Sequence, residues 1–194
     1  MSQTATVSQK TFTTKELVMT ALMSVVIAVC SWISVPIGSV PFTLQTFAVF
    51  CAMLILGGKK GTFAVLVYIL LGAVGIPVFA GFTGGIGIIL GTTGGYIVGF
   101  LILGLLYWLI DSIAKDDLFS KNNLIIKIIA LVIGLLLCYA FGTVWFMQVY
   151  AKQAEAIDLK TALEWCVIPF LIPDIAKLVI AVIVSENVKK YAKI

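Results

Sequence analysis

Histidine is absent from this 194-residue sequence, and charge of either sign is scarce: Asp, Glu, Lys and Arg together make up 11%. A soluble domain carries about 25% charged residues because they must face water. Without histidine the chain has no imidazole acid–base group, no Cys–His nucleophile pair and no ordinary zinc site. The cysteines, Cys30, Cys51, Cys138 and Cys166, have no C-x-x-C spacing, and each lies in or beside an apolar run. There a thiol behaves as a small hydrophobe. No metal and no cofactor are expected. The turn Gly57-Gly58-Lys59-Lys60-Gly61-Thr62 is glycine-rich but lacks the G-x-x-x-x-G-K-[ST] order of a phosphate loop. Energy for any pumping must therefore come from a partner or a gradient. The lysines form no stripe interleaved with aromatics, which argues against nucleic acid.

What is present is hydrophobicity. Apolar residues make up 61%, and no charge occurs from Leu17 to Gly58 or from Gly61 to Ile110. One core of this size cannot hide so much apolar surface, so lipid is the expected solvent. The sequence predicts an all-α integral membrane protein, a single six-helix membrane domain over residues 1–194 with a polar N-terminal segment at 1–16. The six apolar segments are Leu17–Ser34, Leu44–Leu56, Thr62–Ile76, Gly94–Ala114, Ile125–Phe146 and Trp165–Val184, divided by proline and glycine. Leu17–Ser34 is too long for the apolar region of a signal peptide and is read as a retained helix.

The second and third segments are short of the ~20 residues that a span needs. Charge placement decides the expectation. With six spans, Lys10, Lys15, Lys59, Lys60, Lys115, Lys121, Lys127, Lys189, Lys190 and Lys193 share one side, and only Lys152 and Lys160 fall on the other. That bias places both termini in the cytoplasm. Three loops then face outward: Val35–Thr43, Pro77–Thr93 and Gln148–Glu164. In the middle one, seven of the fifteen residues from Gly81 to Gly95 are glycine, which lets backbone groups approach a ligand closely.

Asp174 and Lys177 stand inside the last apolar segment. Ionisable groups there are expensive, so they mark a candidate functional site, and their i, i+3 spacing puts them on one helical face. Pro173 is expected in the first helical turn, with Asp174 near the helix N-terminus. The plain alternative is that Asp174 offsets the helix dipole and Lys177 only pairs with it. Thr43 and Gln45 offer a hydroxyl and an amide to a polar ligand, or cap the second helix. Tyr96 follows the Gly94-Gly95 break and lines a cavity or joins an interfacial aromatic belt. On the first helix Thr20, Ser24 and Ala28 recur every fourth residue with Ala21 adjacent, a small-residue face for close helix approach. That face serves either packing within the chain or docking of another membrane subunit.

Several of these residues fall in stretches that resemble the BioY family, the biotin-specific substrate-binding (S) components of energy-coupling-factor vitamin transporters. The matching stretches are Val40-Pro41-Phe42-Thr43-Leu44-Gln45-Thr46-Phe47-Ala48-Val49, then Tyr68 to Gly81, Gly91-Thr92-Thr93-Gly94-Gly95-Tyr96, and Pro169-Phe170-Leu171-Ile172-Pro173-Asp174 with Lys177. The fourth and fifth segments match only in length and hydrophobicity. The resemblance implies six membrane helices in the plasma membrane and a biotin cavity near the outer face, closed by the first loop. It implies partners as well: a transmembrane coupling protein and two ATP-hydrolysing subunits. The family's Ala-x-x-x-Ala docking pattern on helix one departs here, since Val25 follows Ala21 and only Ser24–Ala28 keeps two small residues. The docking candidates are thus Ala21, Ser24 and Ala28.

Biotin's ureido ring carries two N–H donors and a carbonyl, and its tail ends in a carboxylate. Asp174 suits the ureido N–H; Lys177, Gln45 or Thr43 suits the ureido oxygen or the carboxylate; backbone amides of Thr83, Gly84 and Gly85 also suit the carboxylate. Rival expectations are an S component for another vitamin, an intramembrane enzyme using Asp174, and a scaffold. Missing histidine and the lack of a second buried carboxylate weigh against the enzyme, so none is expected.

Overall fold

The computed structural model describes residues 12–36, 38, 40–113 and 124–192. Lys10, Lys115, Lys121 and Lys193, used in the charge argument, lie outside them. The chain is mainly helical: α1 (Thr14–Trp32), α2 (Gln45–Leu56), α3 (Gly58–Ala73), α4 (Ile86–Ile89), α5 (Gly94–Ile113), α6 (Leu124–Tyr150), α7 (Leu159–Cys166) and α8 (Ile168–Ala192). By length and composition, α1, α5, α6 and the stretch Leu159–Tyr191 can cross a membrane. Helices α2 and α3, with 12 and 16 residues, span about 18 and 24 Å, less than a ~30 Å hydrocarbon core.

Helix α1 starts earlier than the apolar run because Thr13 and Glu16 form a capping box. The Glu16 amide donates to Thr13 Oγ1, and the Thr13 amide donates to Glu16 Oε2. This satisfies two otherwise orphaned donors of the first turn. Helix α2 is buried along nearly its whole circumference, from Gln45 to Ile55, as befits a helix that is apolar all round. It packs against α1, α3 and α8. Gly57, with φ +80°, takes the left-handed turn into α3.

Helices α5 and α6 make the largest contact in the bundle. Their glycines let the backbones approach: a Cβ at Gly99 would meet Cys138 Sγ at 2.7 Å, one at Gly134 would meet Leu103 Cγ at 2.8 Å, and one at Gly142 would meet Tyr96 Cδ1 at 2.3 Å. Small residues at such crossings are the usual route to tight packing between apolar helices.

Polar contacts gather at one end of the bundle. Lys60 pairs with Glu16 at 2.6 Å, Lys59 lies 5.0 Å from the Phe12 ring centroid, and the Gly58 amide donates to Asp111 Oδ2 at 3.1 Å. The start of α1, the α2–α3 turn and the end of α5 therefore share one end. The opposite end holds structure that the all-α expectation omitted. Two-residue strands β1 (Ser34–Val35) and β2 (Phe42–Thr43) form an antiparallel hairpin pairing Ser34 with Thr43 and Val35 with Phe42. A 3-10 turn covers Ala80–Phe82, followed by the four-residue α4. The expected outer loop Gln148–Glu164 holds the end of α6 and much of α7, whose N-cap Asp158 accepts from the Thr161 amide at 3.2 Å. The α1 terminus is tied to the second loop: Trp32 Nε1 donates to the Pro77 carbonyl at 2.8 Å and Ser31 Oγ donates to the Val78 carbonyl.

Candidate functional site

Beneath the hairpin and the glycine-rich loop lies a cavity of about 290 Å³. Its walls are mainly apolar, from Val40, Ile88, Ile97, Phe100, Leu135 and Phe170, and α2, α5, α6, α7 and α8 all contribute lining residues. Helix α8 supplies the charge. Asp174 is 2% exposed and Lys177 5%, and both line the cavity. Lys177 Nζ donates to Asp174 Oδ1 at 2.7 Å, and Tyr139 of α6 donates from its hydroxyl to Oδ2 at 2.5 Å. Both carboxylate oxygens thus have a charge-assisted partner.

The local helix differs from expectation. Helix α8 begins at Ile168, so Pro169 takes the first-turn place and Pro173 lies inside the helix. Lacking an N–H, Pro173 cannot bond the carbonyl four residues back. Asp174 accordingly sits in the second turn, and its partners are side chains; it caps nothing.

The remaining candidates separate into two groups. Thr43, Gln45, Tyr96 and Thr83 line the same cavity as Asp174 and Lys177. Thr43 Oγ1 also accepts from the Gln45 amide at 3.3 Å, so it helps to start α2. The Gln45 side-chain nitrogen is buried and has no hydrogen-bond partner among the described residues. Tyr96 shares a hydrogen bond with Thr143 at 3.0 Å, its ring lying over Gly142. Thr83 is exposed on one side, and its hydroxyl donates to the Ala80 carbonyl at 2.9 Å.

Gly84 and Gly85 are not brought to the cavity. A Cβ at Gly84 would strike the Ile76 carbonyl at 2.4 Å, so that glycine serves loop packing. The Gly85 amide already donates to the Gly72 carbonyl at 2.7 Å. The Gly85 amide is thus engaged within the loop, and neither glycine is among the residues lining the cavity.

The three docking candidates on α1 divide by burial. Ser24 and Ala28 are buried, and Ser24 Oγ donates at 2.8 Å to the Ala64 carbonyl on α3. Their small size is used within the bundle, where α1 packs closely on α3. Only Ala21 is exposed, among Val18, Leu22 and Val25.

Residue-by-residue reading missed Tyr139, Thr46, Cys138 and Cys166 in the lining. The signal for Tyr139 was present as the buried stripe Leu131, Leu135, Cys138, Tyr139, Gly142, Thr143 and Phe146 on α6, which carries two hydroxyls, Tyr139 and Thr143, at helical spacing. A second aromatic finding is Lys177 Nζ placed 4.1 Å from the Phe42 ring centroid, with Phe42 stacked on Phe170 at 6.1 Å. The chamber can hold one small molecule with an apolar body and a few hydrogen-bonding groups.

Comparison with known proteins gives a consistent set of relatives. A family model described as the BioY family matches residues 3–194. The chain is 39% identical over 176 residues to the biotin transporter BioY of Thermotoga maritima, covering 91% of this chain and 96% of that one. It is 39% identical over 175 residues to a probable biotin transporter BioY of Pyrococcus horikoshii, with 90% and 96% covered. Among solved structures, the crystal structure at 2.1 Å of the S-component for biotin from an ECF-type ABC transporter superposes with a TM-score of 0.79 and 25% identity. That match covers 93% of this chain and 95% of the other.

Proposed function

The chain belongs to the BioY family, and from that premise we propose that it is the biotin-binding S component of an energy-coupling-factor transporter. It is a multi-pass protein of the plasma membrane and a transport protein, not an enzyme. Biotin enters from the outer side and is delivered inward together with a transmembrane coupling protein and two ATPase subunits.

One observation carries this reading. A buried carboxylate–ammonium pair, Asp174 and Lys177, lines an otherwise mostly apolar cavity at the end of the bundle opposite the Lys60–Glu16 pair. Inside a membrane protein such a pair is retained for a ligand or an ion path. Biotin matches it chemically. Asp174 accepts a ureido N–H with its remaining lone pairs, and Lys177 answers the adjacent ureido oxygen or the carboxylate. Gln45, whose side-chain nitrogen has no partner among the described residues, offers a further donor, and Thr43, Thr83 and Tyr96 offer hydroxyls. The thiophane ring and the aliphatic tail occupy the apolar walls.

The finer topology belongs to the same reading. Six helices, α1, α2, α3, α5, α6 and α8, cross the membrane as one domain over residues 1–194, with both termini cytoplasmic. Support comes from the alternation of chain ends in the bundle and from the lysine bias. The short helix α2 is accommodated because other helices, and not lipid, surround it.

Equilibrium binding of a vitamin panel to the purified protein in detergent tests the function. Retention of biotin alone is expected. Retention of a different vitamin with no biotin bound would overturn it.

A further inference from the structure

The contact between Tyr139 and Asp174 carries an inference about specificity, and it rests on the reading that Asp174 receives a ureido N–H. An aspartate held only by a lysine one turn along its own helix keeps a broad terminal torsion, so its carboxylate plane stays loosely defined. Here Lys177 occupies Oδ1 from α8, while Tyr139 reaches Oδ2 from α6. The second tie comes from a separate element: α6 packs chiefly on α5, and α8 on α2. Two donors from two helices fix the plane that neither fixes alone.

We infer that Tyr139 is a positioning residue, setting the orientation of the Asp174 carboxylate so that the cavity selects a ligand presenting an N–H donor at that edge. Each carboxylate oxygen accepts two hydrogen bonds. With one site on each oxygen filled, the free lone pairs are directed by the Tyr139 and Lys177 bonds, and their direction decides where a ligand donor must stand. A misplaced acceptor in a water-poor site loses more than one in water, because no solvent repairs the poor angle. Tyr139 is 7% exposed, and its hydroxyl is committed to Asp174 Oδ2. The ring lies on the stripe that also holds Thr143, whose hydroxyl pairs with Tyr96 and not with Asp174. Orientation of the carboxylate therefore falls to Tyr139 among the α6 hydroxyls.

The test compares Tyr139→Phe with the unaltered protein, using biotin and its two cyclic-carbamate analogues as probes. In each analogue one ureido N–H is replaced by a ring oxygen, which exchanges a donor for an acceptor without added bulk. Affinities are taken by competition against labelled biotin, and thermal unfolding of the ligand-free proteins verifies folding. Phe keeps the ring and nearly all the volume. The analogue that binds the unaltered protein more weakly identifies the N–H that meets Asp174. Tyr139→Phe should weaken biotin by about tenfold and weaken that analogue by less than about twofold, since the interaction it supports is already gone. Equal losses for both ligands, or no loss for biotin, would overturn the positioning role while leaving Asp174 in the site. If the unaltered protein binds both analogues as tightly as biotin, Asp174 meets no ureido N–H, and the underlying reading fails instead.

Discussion

Lys177 holds its ammonium 4.1 Å from the centroid of the Phe42 ring while bonded to Asp174 at 2.7 Å. One contact belongs to the β1–β2 hairpin and the other to the wall of the cavity, so a single side chain couples the covering loop to the buried charge. A cation over a ring face is worth about 0.5–2 kcal/mol, more where water is excluded. Phe42 is further fixed by stacking on Phe170 of α8.

Replacing Phe42 by Leu keeps the site apolar and removes the ring face. Biotin affinity should fall several-fold, within the ~0.5–2 kcal/mol of such a contact, and mainly through faster release. Dissociation of labelled biotin after a chase measures it. An unchanged release rate would mean that the hairpin does not cover the ligand.

Asp174→Asn presents an amide donor where an acceptor is needed. Biotin binding should weaken at least tenfold, ~1.4 kcal/mol, in folded protein. Undiminished affinity would take Asp174 out of the site.

Stability separates from binding at the same pair. Lys177→Met alone leaves the Asp174 carboxylate buried with only Tyr139 as partner, a loss of about 3–5 kcal/mol for a broken buried pair. The double variant Asp174→Leu with Lys177→Met removes both charges, and apolar replacements of buried pairs are often neutral or better. The double variant should therefore melt above the single one and still bind no biotin. A double variant less stable than Lys177→Met would show that the pair serves the fold.

The apolar segments were legible because a lipid solvent demands long uncharged runs, and Asp174 and Lys177 were legible because they interrupt one. Other features left weaker traces. Strands of two residues, Ser34–Val35 and Phe42–Thr43, are too short to display a period. Helix α7 carries Lys160 and Glu164 on a short amphipathic turn, so it resembles a loop. Tyr139 looks like a core aromatic until its hydroxyl is placed against α8. The inward face of α1 is equally hidden: small residues flatten a helix for whichever neighbour arrives, and here Ser24 bonds to α3 while Ala28 is buried in the bundle.

Gly142→Ala tests the α5–α6 seam. The added methyl would stand 2.3 Å from Tyr96 Cδ1, too close without displacement of the ring from its bond to Thr143. Overpacking of this kind costs about 1–3 kcal/mol. A lower melting temperature in detergent is expected, together with weaker biotin binding because Tyr96 lines the cavity. Loss of stability with full affinity would confine Tyr96 to packing.

The burial of Ala28 changes what a docking experiment on α1 must use. A tryptophan at position 28 would be driven into the bundle, so Ala28→Trp should destabilise the protein and report nothing about partners. Ala21 is exposed beside Val18, Leu22 and Val25, and a bulky side chain there reaches lipid or a partner without disturbing the core. If a coupling protein approaches this face, Ala21→Trp should keep biotin binding and melting temperature while failing to co-purify with the assembled ATP-driven module. Continued co-purification would move the contact off α1, because a helix seam that tolerates tryptophan at its most accessible small residue is not closely packed.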